Sequence, residues 1–96
     1  MLADRRQKLE FRARLLKAMA HPTRIFIIEE LAREERCVCE LTSLIEADMS
    51  TVSRHLSVLK NAGIVQDEKR GNQVFYRLRV RCILGFFDCF EMLGQQ

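Results

Sequence analysis

The stretch that most constrains the fold covers residues 48–78, DMSTVSRHLSVLKNAG followed directly by IVQDEKRGNQVFYRL. Val52, Leu56 and Leu59 recur at i, i+4 and i+7, the spacing of one buried helix face. Asp48 suits the N-cap of that helix, and Gly63 suits its C-terminal end. Ser50, Ser53, Arg54 and Ser57 fall on another face, where small hydrogen-bonding groups have no use in a core. Residues 64–69 and 73–78 then read as short strands joined by a turn at Arg70-Gly71-Asn72, a hairpin with a basic tip. A polar-faced helix backed by such a hairpin reads as a winged helix-turn-helix, mainly α with a small β-hairpin.

The preceding chain fits this reading. Residues 4–19 are rich in good helix formers and end at His21-Pro22, because the residue before proline avoids helical angles. Pro22 suits the first turn of a second helix, in which Ile25, Ile28, Leu31 and Ala32 recur at helical spacing. A third, short helix is expected over 38–45. The last helix, expected over 80–93, is apolar on nearly every side through Ile83, Leu84, Phe86, Phe87, Phe90, Met92 and Leu93. One side can pack on its own domain, and a symmetric copy of the chain is the commonest cover for the other.

The 96 residues are the size of one domain. Residues 1–96 are therefore read as a single DNA-binding unit with N- and C-terminal dimerisation helices, a homodimer. No apolar run reaches the length of a membrane span, and the start MLADRRQKLEFRARLL is too charged for a signal peptide. The expectation is a soluble, cytoplasmic protein with no membrane partner.

The net charge of +3 says less than its distribution. Residues 50–81 carry Arg54, Lys60, Lys69, Arg70, Arg77, Arg79 and Arg81 against Asp67 and Glu68. Residues 29–48 carry Glu29, Glu30, Glu34, Glu35, Glu40, Glu46 and Asp48 against Arg33 and Arg36. A basic half beside an acidic half fits a polyanion-binding face, and equally fits solvated helix faces with chance clustering.

Residues near the start of a recognition helix reach base edges, which points to Met49, Ser50, Ser53 and Arg54. Arginine can fork onto guanine O6 and N7. Thr51 and Ser57 are assigned to phosphates, and Lys69 and Arg70 at the wing tip suit the phosphate backbone or a minor groove. The plainer alternatives are a polar solvent-exposed helix face and a turn kept soluble by its charges. His55 lies between the faces and reads as a packing or phosphate residue.

Four cysteines remain. Within a regular helix Cys37 and Cys39 would point about 200° apart, so their sulfurs can meet only where the backbone is not helical. The start of the third helix offers such a place. The helix N-terminus, with Arg33 and Arg36 near, is expected to favour the thiolate that binds soft ions. Cys82 and Cys89 are read as sharing one face of the last helix, about 10 Å apart along its axis and too far for a bridge within one chain. They either pack in the core or interface, or meet across a dimer axis.

The motifs His21-Pro22-Thr23-Arg24, Cys37-Val38-Cys39-Glu40-Leu41, Ser50-Thr51-Val52-Ser53-Arg54-His55-Leu56, Leu59-Lys60-Asn61-Ala62-Gly63-Ile64-Val65 and Gly71-Asn72-Gln73-Val74-Phe75-Tyr76 occur here in that order. Together they resemble the ArsR/SmtB family of metal-responsive repressors, from about Met19 to the final helix. The resemblance implies a homodimer that binds an inverted-repeat operator in double-stranded DNA and releases it when a toxic ion binds. In the arsenic-responsive branch the third helix carries C-V-C-[DE]-L-C; this chain matches two thiols and the acid, and has Thr42 at the third thiol. Its implied ligands are Cys37 and Cys39, with Cys82, Cys89 or a small thiol as possible additions.

The cadmium/lead branch adds cysteines from the N-terminal arm, and none precedes Cys37. The zinc branch places Asp and His along the last helix, and no His follows His55. The resemblance to a repressor family implies a protein that is not an enzyme. It is a repressor with no obligatory cofactor, whose inducer is trivalent arsenic or antimony. A thiol redox or reactive-sulfur sensor on the same scaffold, using Cys37, Cys82 or Cys89, is the alternative.

Overall fold

A computed structural model describes residues 3–94. The elements run α1 (Ala3–Met19), α2 (Pro22–Arg33), β1 (Arg36–Cys37), α3 (Val38–Ile45), α4 (Met49–Asn61), β2 (Val65–Arg70), β3 (Gln73–Leu78) and α5 (Ile83–Gly94).

Local signals set most boundaries. His21, in extended conformation, caps α2 by accepting the Thr23 N–H at its Nδ1, 3.0 Å away, with Pro22 in the first turn. Asp48 caps α4 by accepting the Thr51 N–H at 2.8 Å. Gly63, at φ +80, closes α4: its N–H donates to Lys60 O at 2.9 Å, and the Ile64 N–H donates to Leu59 O at 3.0 Å. Gly71, at φ +62, takes the first central position of the hairpin turn, where a side chain would be strained. Glu46 takes the left-handed conformation (φ 60) at the end of α3, which turns the chain sharply into α4.

Three corrections to the sequence reading emerge. The sheet is a three-stranded antiparallel one in the order β1-β3-β2, not a lone hairpin. Arg36 faces Tyr76 and Cys37 faces Phe75 across the added pair. Two residues are too few to show strand alternation, so this strand left no periodic signal. Arg70 ends β2 and pairs with Gln73, which leaves a turn of Gly71 and Asn72 alone. The last helix begins at Ile83, so Cys82 sits in the turn before it and does not share a helix face with Cys89.

The core lies where α2, α3 and α4 meet the sheet. Ile27, Ile28, Leu31, Leu41, Val52, Leu56, Leu59, Ile64, Val65 and Tyr76 are buried there. At roughly 25 cal/mol per Å² of apolar area, each fully buried aliphatic chain stabilises the fold by about 1.5–3 kcal/mol. α5 rests one side on this core through Ile83, Leu84 and Phe87, but buries no residue fully. Its other side leaves Phe86, Phe90, Met92 and Leu93 exposed, the last at 82%. In α1 only Ala18 and Met19 are buried, and Leu9, Phe11 and Leu16 are exposed.

Candidate functional site

α4 presents its faces in a fixed order. With about 100° of rotation per residue, Val52, Leu56 and Leu59 form one arc, and Met49 and Ser53 the next. Ser50, Ser57 and Arg54 follow, and then Thr51, His55 and Val58. The first arc is core. Ser50, Ser53, Arg54 and Ser57 are exposed, as is Met49 at 55%. The Ser50 hydroxyl donates to Asp48 Oδ1 at 3.0 Å, and Arg54 Nη2 donates to Thr51 Oγ1 at 3.5 Å. Both bonds are short-range and exposed, and leave the guanidinium at the surface. The Asp48 carboxyl is held below its ordinary range by the Thr51 side-chain and backbone bonds first, then by Ser50. It therefore caps α4 as an anion.

Lys69 is exposed. Arg70 is not free: both its Nη atoms donate to the Glu35 carboxylate, and Nη2 also donates to Glu68 Oε1 at 2.9 Å. Its guanidinium lies 4.8 Å from the Phe75 ring centre. In the free chain, a cation paired with two carboxylates and placed over an aromatic ring braces β2 against the β1 approach.

The thiols lie where β1 becomes α3. Cys37 is the extended N-cap of α3, buried to 3% exposure, and its Sγ accepts the Glu40 N–H at 3.4 Å. Glu40 Oε1 accepts the Cys37 N–H in return at 3.0 Å, a reciprocal capping box. Cys39, two residues on and exposed, has its Cα 5.4 Å from that of Cys37, and the two sulfurs are joined as a disulfide. Convergence at an unwound helix start is what the spacing required. Gln73 Nε2 lies 3.8 Å from Cys39 Sγ, so the wing touches the pair.

The cationic help expected for the sulfurs is taken up elsewhere. Arg36 pairs with Glu30, Glu34 and Glu40 at 3.3–3.5 Å, and Arg33 pairs with Glu30. Glu40 is held below its ordinary carboxyl range, first by the Cys37 backbone bond and then by Arg36, against the opposing cost of desolvation. The helix N-terminus remains as support for a thiolate.

An open cleft of about 320 Å³ joins these parts, lined by Cys37, Val38, Cys39, Met49, Ser53, Asn72, Gln73 and Val74. The thiols, the recognition helix and the wing thus share one set of walls. Met49 and Ser53, expected among base readers, face this cleft. Cys82 and Cys89 are free and exposed, so packing in this chain's own core does not account for them. Among the described residues, no three His, Cys, Asp or Glu side chains gather as a metal cluster.

Sequence reasoning missed Glu35, Gln73 and Arg24 as participants. Nothing local marks Glu35 or Gln73, because their contacts to Arg70 and Cys39 span more than 30 residues.

Residues 21–67 match the family model of bacterial regulatory proteins of the arsR family. HlyU from Vibrio cholerae superposes with a TM-score of 0.79 at 32% identity, over 92% of this chain and 97% of that one. The chain belongs to the arsR family. The HTH-type transcriptional repressor SmtB of Mycobacterium tuberculosis is 42% identical over 76% of this chain and 54% of its own length. The arsenic resistance transcriptional regulator ArsR1 of Pseudomonas putida is 45% identical over 67% of this chain and 51% of its own length. The chain therefore spans about half the length of these two relatives. A homodimeric winged helix-turn-helix DNA-binding domain from Mycobacterium bovis matches at a TM-score of 0.83 and 26% identity, over 98% of this chain and 87% of that one. The fold and the relatives are those of transcription regulators, not enzymes.

Proposed function

We propose that this arsR-family chain is a homodimeric repressor that holds an inverted-repeat operator and releases it when trivalent arsenic or antimony binds Cys37 and Cys39. The carrying observation is the shared cleft, which places both sulfurs against the recognition helix and the wing. In the reduced protein, Cys37 sits fixed by the capping box and Cys39 stands at the cleft mouth. A soft trivalent ion draws two thiolates onto itself, and each thiol gives up its proton. This chain supplies two sulfurs at that point, so water or a small cellular thiol completes the ion's shell.

The response follows from what holds Cys37. Its Sγ caps α3, and its backbone belongs to β1, which pairs with wing strand β3. α3 packs against α4. Pulling the sulfur onto an ion removes the cap bond and shifts the start of α3, so both the recognition helix and the wing are displaced. Two recognition helices must match two half-sites about one DNA turn apart, so a small shift in each protomer lowers affinity. Ser50, Ser53, Arg54 and Met49 read bases, Thr51, Ser57 and Lys69 hold phosphates, and exposed α1 and α5 surfaces form the dimer. The similarity to an arsenic resistance regulator supports the metalloid assignment.

The Cys37–Cys39 disulfide supports a second reading, a redox sensor. Two thiols would pass two electrons to an oxidant such as hydrogen peroxide, which is reduced to water while the S–S bond forms. Operator release measured against arsenite in reducing buffer, and against peroxide in metalloid-free buffer, separates the two. Arsenite-driven release lost on Cys39→Ser supports the first, and peroxide-driven release alone supports the second.

A further inference from the structure

Four of the cations among the described residues, Arg33, Arg36, Lys60 and Arg70, are paired with carboxylates. Among the described residues, no ion pair involves Arg24 or Arg54. Both line an open cleft of about 300 Å³ between the start of α2 and the side of α4, with Thr51, His55 and Val58.

The cleft is built rather than incidental. Arg24 Nη1 donates to the Ala18 carbonyl at 3.0 Å, which fixes the guanidinium at the end of α1. Arg54 Nη2 is 3.5 Å from Thr51 Oγ1. The His55 ring lies tilted by 44° against the His21 ring, with centroids 4.3 Å apart, and His21 Nδ1 is occupied by accepting the Thr23 N–H. Two unneutralised guanidinium groups, a hydroxyl and an imidazole surround one opening, a donor set that matches an anion with several oxygens. On α4 this arc follows directly after the exposed Ser50–Ser57–Arg54 row, on the side away from the thiol cleft. A duplex read by that row has its sugar-phosphate backbone at the flanks of the groove.

We propose that Arg24, Thr51 and His55 form a seat for one DNA backbone phosphate beside the base-reading Arg54, which extends the interface from the recognition helix to α2. The proposal rests on the reading that the chain binds duplex DNA. It carries a linkage. In the free protein burial, then the neighbouring His21, Arg24 and Arg54, push the His55 pKa below its ordinary value. A phosphate in the seat reverses the local sign and favours the imidazolium. Binding then takes up a proton at His55, and affinity rises as pH falls from 7.5 towards 6.

The test uses the whole chain and a duplex of fixed sequence. Anisotropy titrations at several salt concentrations compare wild type with Arg24→Gln and Thr51→Val, with melting temperatures checked because Arg24 also anchors α1. The imidazole resonances of His55 are followed against pH with and without duplex, and with inorganic phosphate in place of duplex. The expected result is a salt slope lower by about one unit in Arg24→Gln, weaker binding by Thr51→Val, and a His55 pKa raised by duplex. His55→Gln should lose the added pH dependence. Wild-type binding with an unchanged Arg24→Gln slope, or a His55 pKa that duplex does not move, overturns the seat alone. A His55 response to inorganic phosphate matching that to duplex overturns the assignment to DNA backbone. Wild type with no salt-dependent duplex binding overturns the functional reading and the seat with it.

Discussion

Cys37 and Phe75 face each other across the β1–β3 ladder, so the strand carrying the first sulfur is hydrogen-bonded to a wing strand. The Phe75 ring in turn underlies Arg70, which Glu35 holds from the β1 side. Thiol, short strand and wing therefore form one connected unit. A change at the sulfur has a direct mechanical route, through the β1–β3 ladder, to the hairpin.

Lys69 and Arg70 are adjacent yet should behave differently. Lys69→Ala is expected to flatten the salt dependence of duplex binding by about one unit, as for one lost phosphate contact. Arg70→Ala should leave that slope near wild type and lower the melting temperature instead, because its partners are Glu35, Glu68 and Phe75. Equal slopes for both variants, below wild type, would show that Arg70 leaves its carboxylates to meet DNA.

Arg54→Ala is expected to relax base preference, on the order of 1–3 kcal/mol of discrimination if its contact is bidentate. Competition with operators altered one base pair at a time measures this. A uniform loss over all sequences contradicts a base-reading role.

The structure was legible in the sequence to differing depths. Helices α2, α3 and α4 were readable because their caps are local: Pro22 after His21, the cysteine start, Asp48 and Gly63. The hairpin was readable from its turn residues. What escaped was non-local. β1 exists because β3 offers it a partner, and two residues cannot advertise that by alternation. The pairing of Arg70 with Glu35 was not legible because the two lie 35 residues apart in sequence. Cys82 was placed on a helix because the apolar run continues backwards through Val80, while the helix starts at Ile83. Of the site, helical geometry restricted any convergence of Cys37 and Cys39 to a non-helical start of α3, while the cleft that joins them to Met49, Ser53 and the wing was not legible.

Asp48 gives α4 an acid-sensitive start. Its folded pKa lies below the ordinary value, so its contribution is present above the unfolded pKa of about 3.9 and is lost as pH falls through the folded value. Thermal melts should show the wild type losing more stability below pH 4 than Asp48→Asn, since Asn caps a helix without titrating. Parallel curves for the two proteins would assign the acid sensitivity to other carboxylates.

Phe90→Ala and Leu93→Ala should weaken self-association. Phe90 is 47% and Leu93 82% exposed in the single chain, and covering such a side chain in a dimer is worth about 1.5–3 kcal/mol. Sedimentation equilibrium checks this. A wild-type chain that stays monomeric and folded at micromolar concentration removes the two-half-site account.

The most direct measurement of the central claim is operator release by arsenite in thiol-free buffer, after reduction, for wild type and for Cys37→Ser and Cys39→Ser. Serine keeps the cap at position 37, and Cys39 is exposed, so both variants should fold and bind the operator nearly as wild type does. Wild type should release DNA as an ultraviolet sulfur-to-arsenic band grows, and both variants should stay bound without that band. Full arsenite-driven release by the double variant would contradict sensing at Cys37 and Cys39.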